Sequence, residues 1–246
     1  MKKSIGLIIP ARAASSRFPN KPLAMIAGKS MIQRVWENAS RDFKSPNIWI
    51  ATDCEMIFAK VNAFGGQAIM TPKSCLTGTD RIAEANKVLN FDHVINIQGD
   101  EPILEPWILK QVLDALQDFN GDVLNCMSEI NNAHDFNNIN IPKVVVNSSN
   151  GLIYMSRSPI PLGKNNNPSF DNVYRQVCIY AFTKDALKFY GCSSTKSSIE
   201  EIEDIEILRL LENNCKIQML KVKSDSIAVD LPEDILKVES VLKLKD

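Results

Sequence analysis

Three cationic side chains follow the first apolar run of the chain, Ile5–Ile9. Arg12, Arg17 and Lys21 lie within one ten-residue stretch that is rich in small residues. Cations and backbone N–H groups in such a loop can converge on a single anion. The stretch matches neither GxxxxGKS nor GxGxxG, so it is neither of the common nucleotide-binding fingerprints. We predict a polyphosphate-binding loop, with a solvated basic loop as the alternative.

Two aspartates follow apolar runs later in the chain. Asp100 closes the segment VINIQGD of residues 94–100, and Asp230 directly follows the segment SIAV of residues 226–229. A carboxylate just past the carboxyl end of a strand can hold a divalent cation against a phosphate. We therefore predict that Asp100 and Asp230 share one Mg²⁺. For Asp100 alone, the alternative is a cap on the following helix.

Composition limits the classes of partner. The 246 residues carry 28 basic and 29 acidic side chains, a net charge of −1, which argues against a nucleic-acid or anionic-membrane surface. No apolar run approaches the roughly 18 residues that span a bilayer. The N-terminal apolar stretch stops at Pro10 and Arg12, so we expect a buried first strand there and no signal peptide.

Cysteine and histidine usage narrows the chemistry. The six cysteines occur singly, and the two histidines are His93 and His134. A zinc site or a disulfide framework is therefore not expected, and reduced thiols favour a cytoplasmic location. Most Ser-His and Cys-His mechanisms need a histidine base beside the nucleophile. We expect catalysis to depend on carboxylates, a metal ion and fixed positive charge.

Apolar runs alternate with amphipathic stretches in the first half of the chain. The predicted strands are Ile5–Ile9, Asn47–Ala51, Ala68–Met70 and Val94–Ile97, and the predicted helices are Met31–Ala39, Met56–Phe64, Asp80–Leu89 and Pro106–Phe119. This order predicts an α/β fold with a mostly parallel sheet. Right-handed crossovers bring the loops after these strands to one edge of the sheet, where open α/β sheets bind ligands.

The pattern changes from about residue 122. The predicted strands are Lys143–Asn147, Leu152–Met155, Tyr174–Thr183, Lys216–Lys221 and Ile227–Val229, and the predicted helices are Ser197–Asn213 and a last helix from Pro232. The longer β-branched runs indicate a smaller antiparallel arm within residues 122–183.

Eight segments in chain order resemble the 3-deoxy-manno-octulosonate (Kdo) cytidylyltransferases, also called CMP-Kdo synthetases. They are IIPARAASSRFPNKPL, ATDCEMI, TGTDRIAEA, INIQGDEP, YMSRSPIP, RQVCIYAF, IEEIEDIEILRLLE and VDLPED. The resemblance implies a Rossmann-like nucleotidyltransferase fold, one domain over residues 1–246 and a homodimer formed through the arm. It also implies a reaction for surface-glycan synthesis, in which the anomeric hydroxyl of a sugar acid attacks the α-phosphate of CTP and pyrophosphate leaves.

The resemblance also assigns roles to individual residues. Arg12, Lys21, Asp100 and Asp230 would be catalytic, and the two aspartates would hold Mg²⁺. Nucleotide-binding residues would be Pro10, Ala11, Arg12, Arg17, Lys21, Thr77, Gly78, Thr79 and Arg81. Sugar-acid residues would be Gln98, Arg157, Gln176, Glu200 and Glu203. Arginine suits a carboxylate because its planar fork can bind both oxygens. For Glu200 and Glu203 the solvent face of an amphipathic helix is the alternative.

The chain departs from the family mainly on the side of the acceptor sugar. Gln176 stands where the family typically has histidine, Cys178 where it has glycine, and Ile207 where it has glutamine. A site built to bond a hydroxyl rejects analogues that lack it, so altered polar partners alter the accepted sugar. We therefore hypothesise a modified acceptor such as 8-amino-Kdo, and the alternative is sequence drift that leaves the specificity for Kdo unchanged. Further departures are Ala13, Asn20 and Cys54, where the family has an aromatic residue, glycine and histidine.

Two other functions compete with this interpretation. A sugar-1-phosphate nucleotidyltransferase would open with G-x-G-T-R, which this chain lacks. An inactive nucleotide-binding homologue would not need Lys21, Asp100 and Asp230 together.

Overall fold

A nine-stranded mixed sheet forms the centre of the computed structural model, which describes residues 3–14, 18–43, 45–164, 170, 172–224, 229 and 231–243. Within these residues the strands are β1 (Ile5–Ala11), β2 (Met25–Ile26), β3 (Lys29–Ser30), β4 (Ile48–Thr52), β5 (Gln67–Met70), β6 (His93–Ile97), β7 (Val123–Glu129), β8 (Lys143–Val146), β9 (Leu152–Ser156), β10 (Tyr174–Thr183) and β11 (Ile217–Lys221). The strands β2 and β3 form a separate two-stranded hairpin.

The helices of the described residues connect these strands. They are α1 (Met31–Asp42), α2 (Glu55–Ala63), α3 (Gly78–Leu89), α4 (Pro106–Ala115), α5 (Ala133–Asn137), α6 (Lys184–Tyr190), α7 (Ser198–Glu203), α8 (Leu208–Glu212) and α9 (Asp234–Lys243). None of them is long and apolar enough to cross a membrane.

The main run of the sheet has the order β11-β7-β10-β6-β1-β4-β5. The pairs β1–β4, β1–β6, β4–β5 and β7–β11 are parallel, and β10 runs antiparallel between β6 and β7. This arrangement confirms the predicted α/β class with a mostly parallel sheet. The carboxyl ends of β1 and β6 and the first half of β10 therefore meet at one edge.

Helices cover both faces of the sheet. Leu7 and Ile9 face α1, α2 and α4, and Ile8 between them faces the other side, where α3, α6 and α8 pack. All five residues of β6 are buried, as expected for a strand covered on both faces. The site at the strand ends is thus built on a rigid core.

Residues 122–183, within which the arm was predicted, contain strands of two kinds. Residues 122–183 include β7 and β10, which lie inside the main sheet. Only β8 and β9 form an antiparallel extension, with β8 pairing with β10 and β9 pairing with β8. We call β8 and β9 the side extension. Strand β10 belongs to the main sheet because its hydrophobic residues face both helical layers, as Phe182 and Ile179 do.

The predicted helix Ser197–Asn213 is wrong, because it is broken in two. Asp204 ends α7 in the left-handed conformation with φ 49°, and α8 begins four residues later at Leu208. Aspartate tolerates this conformation better than most residues. Helix α6 was not predicted, and the predicted strand Ile227–Val229 falls largely outside the described residues.

Candidate active site

A cavity of about 330 Å³ opens at the edge where β1 and β6 end. Ten of the residues singled out by the sequence line it: Pro10, Ala11, Arg12, Lys21, Gly78, Arg81, Gln98, Asp100, Arg157 and Gln176. They come from both halves of the chain. Arg17 and Asp230 lie outside the described residues, so their predicted roles stay predictions.

The loops after β1 and β6 approach each other closely. A Cβ atom on Gly99 would lie 2.7 Å from the backbone oxygen of Pro10. Only glycine allows this approach, so the loop that carries Gln98 and Asp100 packs directly on the end of β1.

Lys21 and Asp100 form an ion pair in the cavity. Lys21 Nζ lies 2.7 Å from Asp100 Oδ2 and donates a second hydrogen bond to the Val229 carbonyl at 2.9 Å. The Val229 N–H donates to the Asp100 carbonyl at 2.9 Å. Val229, which directly precedes Asp230, is thereby joined to Asp100 by a backbone hydrogen bond, although the two aspartates are far apart in the sequence.

Thr77 has a structural role at the start of α3. Its hydroxyl accepts a hydrogen bond from Asp80 N–H at 3.1 Å, and Asp80 Oδ2 accepts from the Thr77 N–H at 2.9 Å. This capping box fixes the first turn of α3. Thr77 does not line the cavity, so the structure gives it a positioning role behind Gly78.

Thr79 and Gly78 hold a carboxylate that sequence reasoning missed. Glu206 Oε2 accepts from the Thr79 N–H at 2.9 Å and its hydroxyl at 2.5 Å, and Oε1 accepts from the Gly78 N–H at 3.2 Å. Glu206 lines the cavity, whereas Thr79 does not. Burial raises the pKa of Glu206, and the bonds from Thr79 and Gly78 act against this increase. The hydrogen-bonding groups of Thr79 are therefore committed within the protein.

Arg81 lines the cavity, but its guanidinium is committed elsewhere. Its Nη2 lies 2.8 Å from Asp53 Oδ2 and its Nη1 lies 2.6 Å from the Thr71 hydroxyl. With a side chain only 2% exposed, Arg81 fixes α3 against the loop after β4.

Arg157 directly follows β9 and is anchored by hydrogen bonds to backbone carbonyls. Its Nε donates to the Glu203 carbonyl at 2.6 Å, Nη1 to the Ile139 carbonyl at 3.0 Å and Nη2 to the Asp204 carbonyl at 2.9 Å. These bonds use three of the five N–H groups of the guanidinium. The side chain remains one-third exposed, so it can meet an anionic ligand in a fixed orientation.

Glu203 supports Arg157 and does not itself line the cavity. Its carboxylate accepts from the Ser156 hydroxyl at 2.6 Å, the Arg157 N–H at 2.9 Å and the Tyr154 hydroxyl at 3.3 Å. Burial raises the pKa of Glu203, but these hydrogen bonds outweigh it and leave the pKa below its ordinary value. The structure therefore makes Glu203 a positioning residue.

The predicted contact of Glu200 with the sugar acid does not fit the structure. Glu200 is 1% exposed and pairs with Arg209, with Nε to Oε2 at 2.6 Å and Nη2 to Oε1 at 2.8 Å. Arg209 also bonds Asp80 Oδ1 at 2.8 Å, and Tyr190 donates to Glu200 at 3.0 Å. A buried carboxylate needs such a partner, so Glu200 joins α7 and α8 to α3.

One wall of the cavity comes from β10. Gln176, Cys178 and Tyr180 line it beside Gln98 of the neighbouring loop. Burial, followed by the nearby carboxylates Glu101 and Asp100, raises the pKa of Cys178 well above its ordinary value. The thiol is therefore protonated at neutral pH and is not a nucleophile.

The sequence around Glu206 carries a signal for its place in the cavity. Glu203 and Glu206 are three residues apart in the same acidic segment, and Asp204 and Glu206 both line the cavity. An acid flanked by Ile205 and Ile207, both buried, is itself near the core. An acid between two apolar residues is therefore the sequence signal that indicates Glu206.

The described residues contain no group of three or more His, Cys, Asp or Glu side chains placed to hold a metal. Asp100 offers carboxylate oxygens, which are the ligands that Mg²⁺ prefers, and Mg²⁺ is commonly bound by one or two carboxylates together with phosphates and water. The donor chemistry at Asp100 thus fits Mg²⁺.

The chain is similar to known cytidylyltransferases over most of its length. A family described as cytidylyltransferase matches residues 7–217. A 3-deoxy-manno-octulosonate cytidylyltransferase of Desulfatibacillum aliphaticivorans is 39% identical over 241 residues, covering 96% of this chain and 98% of the relative. An 8-amino-3,8-dideoxy-manno-octulosonate cytidylyltransferase of Shewanella sp. (strain W3-18-1) is 40% identical over 241 residues, covering 96% and 97%.

A solved structure extends the likeness to three dimensions. CMP:2-keto-3-deoxy-manno-octonic acid synthetase complexed with CTP superposes with a TM-score of 0.88 at 34% identity, covering 99% of this chain and 100% of the other. The fold and the site therefore define a nucleotidyltransferase. The chain belongs to the cytidylyltransferase family, and the resemblance to its Kdo-activating members is confirmed.

Proposed function

We propose that the protein transfers CMP from CTP to the anomeric hydroxyl of an eight-carbon 2-keto-3-deoxy sugar acid. The hydroxyl oxygen bonds to the α-phosphorus, the bond from that phosphorus to the bridging oxygen breaks, and pyrophosphate leaves while the hydroxyl proton passes to solvent. The observation that carries this proposal is one cavity lined by three cationic side chains, Arg12, Lys21 and Arg157. Two anionic substrates need two such cationic groups.

The nucleotide side consists of the loop after β1 and the start of α3. Arg12 and Lys21 supply positive charge for the triphosphate, with Arg17 as a further proposed contact. The Pro10–Ala11 backbone and Gly78 offer a narrow surface for the base, since Gly78 lies close to the Pro10 ring. Phosphoryl transfer depends on charge neutralisation and in-line placement, which these groups supply.

The sugar-acid side consists of Gln98, Arg157, Gln176 and Glu206. The unused N–H groups of Arg157 suit a carboxylate, because a guanidinium fork can bind both oxygens. Glu206 and Gln176 offer acceptors for sugar hydroxyls. Glu203 and Glu200 act through Arg157 and Arg209 and do not contact the sugar in this proposal.

Mg²⁺ is proposed as the cofactor, held by Asp100 with phosphate oxygens and water, and by Asp230. When bound, the ion neutralises charge on the phosphates. Lys21 Nζ lies 2.7 Å from Asp100 Oδ2, so the lysine can contact the same phosphates as an ion held by Asp100.

The acceptor is proposed to be Kdo or 8-amino-Kdo. Relatives named for each sugar are equally similar to this chain. Gln176 and Cys178 on the β10 wall favour the modified sugar, because they replace polar and small residues that the Kdo enzymes typically carry. An inactive homologue is disfavoured by the intact Lys21–Asp100 pair.

The test is a direct assay. The protein is incubated with CTP, Mg²⁺ and either Kdo or 8-amino-Kdo, and both pyrophosphate and the CMP-sugar are measured. We expect transfer to at least one sugar, and a decrease of about 10²–10³ in kcat for Asp100→Asn, the loss typical of one preorganised electrostatic partner. Pyrophosphate release without a CMP-sugar, or no dependence on either sugar, would contradict the proposal.

We also propose a cytoplasmic homodimer. The six cysteines are all free thiols, which supports a reducing compartment. The side extension carries the apolar Ile153, with 54% of its surface exposed, which supports a second copy as its partner.

A further inference from the structure

Strand β10 contains an irregularity opposite Asn125. Val177 pairs with Cys126 of β7, but the next pair is Tyr180 with Asn125, so Cys178 and Ile179 are extra residues. Asn125 Nδ2 donates to the Val177 carbonyl at 3.0 Å and the Ile179 carbonyl at 2.8 Å. Carbonyl oxygens can only accept, so these two bonds fix which end of the Asn125 amide faces them.

The orientation of Asn125 fixes that of Gln176. Asn125 Oδ1 can only accept, and Gln176 Nε2 lies 3.1 Å from it. The same nitrogen donates to the Tyr180 hydroxyl at 3.0 Å, so both of its hydrogens are used. A reversed Gln176 amide would place one acceptor against another at Asn125.

The Gln176 amide oxygen is thereby turned away from Asn125 and Tyr180. Among the described residues no donor bonds this oxygen, and it is not one of the fully buried polar atoms that lack a partner. Gln176 lines the cavity with 7% of its surface exposed. The open surface at this position is therefore a hydrogen-bond acceptor.

We propose that Asn125 is a positioning residue that makes Gln176 a pure acceptor, so that the enzyme requires a hydrogen-bond donor on the sugar acid at this point. The inference deepens the proposed function and rests on it. A hydroxyl or an amine satisfies the requirement, and a group that can only accept does not. A histidine at position 176 would offer a ring nitrogen that gains or loses a proton, so its requirement would vary with pH.

A carboxylate from the connection between α7 and α8 strengthens the requirement. Glu206 lies close enough to Tyr180 to act on it electrostatically and also lines the cavity. Its oxygens already accept bonds from Gly78 and Thr79, and a carboxylate can accept several bonds. A donor that carries positive charge, such as an ammonium group, is favoured beside it.

The experiment replaces the hydroxyls of the sugar one at a time. Kdo, 8-amino-Kdo and Kdo analogues with fluorine in place of the hydroxyl at C4, C5, C7 or C8 are compared as acceptors with CTP and Mg²⁺. We expect one position at which fluorine, which cannot donate, lowers kcat/KM about 10- to 100-fold, because the Gln176 oxygen loses its partner. In Asn125→Leu the Gln176 amide is free to turn, and we expect that penalty to fall below about threefold.

Asn86→Leu is the matched control. Asn86 is a buried amide that bonds the Phe91 backbone N–H at 3.0 Å and carbonyl at 3.1 Å, away from the cavity lining. The Asn86→Leu variant should be less stable than the parent protein, but fluorine should lower its kcat/KM as much as it does in the parent. Gln176→Met leaves the Asn125 bonds to the Val177 and Ile179 carbonyls in place; it should also abolish the loss of kcat/KM caused by fluorine and serves if Asn125→Leu fails to fold.

The outcomes separate the two proposals. Transfer to a sugar acid with no fluorine position costing more than about threefold would overturn the inference and leave the proposed function standing. A penalty that survives in both Asn125→Leu and Gln176→Met would do the same. Absence of transfer to every sugar acid would overturn the proposed function and the inference together.

Discussion

Lys21 and Asp100 neutralise each other at 2.7 Å in a cavity proposed to bind highly charged substrates. The pairing lowers the cost of keeping both ions partly buried, at 16% and 29% exposure. It also means that each must exchange a protein partner for a substrate partner. Arg157 differs, because its hydrogen bonds go to backbone carbonyls that need not be released, and its nearest carboxylate, Asp204, lies 3.9 Å from Nη2.

The exchange at Asp100 can be tested by Lys21→Met. Removing the cation leaves Asp100 without its neutralising partner, so we expect the nucleotide-free protein to bind Mn²⁺ about 3- to 10-fold more tightly. CMP transfer should fall about 10²–10³-fold. Paramagnetic titration of Mn²⁺ measures the first effect. Lys29→Met, which removes a surface ion pair with Glu37, should change neither quantity, and unaltered Mn²⁺ affinity in Lys21→Met would contradict the idea.

The fixed orientation of Arg157 gives a second prediction. Arg157→Lys loses the fork that meets a carboxylate, so KM for the sugar acid should rise about 10- to 100-fold while KM for CTP stays nearly constant. Steady-state kinetics with each substrate varied provides the measurement. Arg34→Lys is the control, because Arg34 also bonds two backbone carbonyls, Ile26 and Ala27, at 2.6 Å. An equal effect on both KM values would show that Arg157 acts only on the fold.

At the scale of elements, the connection between α7 and α8 decides which acids face the cavity. The apolar spacing of residues 197–213 predicted one continuous helix, and on such a helix Glu200 and Glu203 share a face. The left-handed turn at Asp204 breaks the helix, buries Glu200 against Arg209 and brings Glu206 to the cavity. The position of Asp100 could be predicted, because the apolar run before it marks where β6 ends. The turn could not, since it depends on tertiary bonds to Asp204.

Glu203 links α7 to β9 and makes this connection sensitive to pH. Its pKa is below the ordinary 4.5, so the carboxylate stabilises the fold above that pH, and this stabilisation is lost as the pH falls through the lower folded-state pKa. Glu203→Gln should reduce the free energy of unfolding by about 1–2 kcal/mol at pH 7, with the difference shrinking below pH of about 4.5. Urea unfolding over a pH series measures it.

The control for this effect is Glu201→Gln in the same helix. Glu201 is exposed, so the free energy of unfolding of the Glu201→Gln variant should stay close to that of the parent protein at every pH. A Glu203→Gln deficit that is constant from pH 7 to pH 3 would contradict the assigned role of the carboxylate.

At the scale of the whole molecule, the side extension ends in an edge strand, β9, which carries exposed apolar residues. Strand β9 pairs with β8 on one side, and Gly151, which directly precedes β9, forms an isolated bridge to Gln218 of β11. Ile153 of β9 and Ile202 of α7 are 54% and 81% exposed. An uncovered edge with apolar residues favours pairing with another chain.

We expect a homodimer in solution, with twice the 27.5 kDa of one chain. Ile153→Lys should shift the mass measured by light scattering toward one chain, because a charge would be buried in the interface. Val88→Lys, at a valine of α3 that is 74% exposed, should leave the mass unchanged. A parent protein that scatters as a single chain would contradict the prediction.

The antiparallel placement of β10 between β6 and β7 also affects how the protein is made. Strands β6 and β7 follow each other along the chain, yet they cannot pair, because the strand between them ends only at Thr183. A ribosome adds about 5–20 residues per second, so the residues from Glu129 to the end of β10 take about 3 to 11 s to synthesise. Until then the facing edges of β6 and β7 have no partner strand. During that interval the nascent chain has two open edges and no sugar-binding wall. The strand that carries Gln176 is thus the last piece of the sheet's centre to arrive, and its synthesis joins β6 to β7 before the cavity residues Asp204 and Glu206 are made.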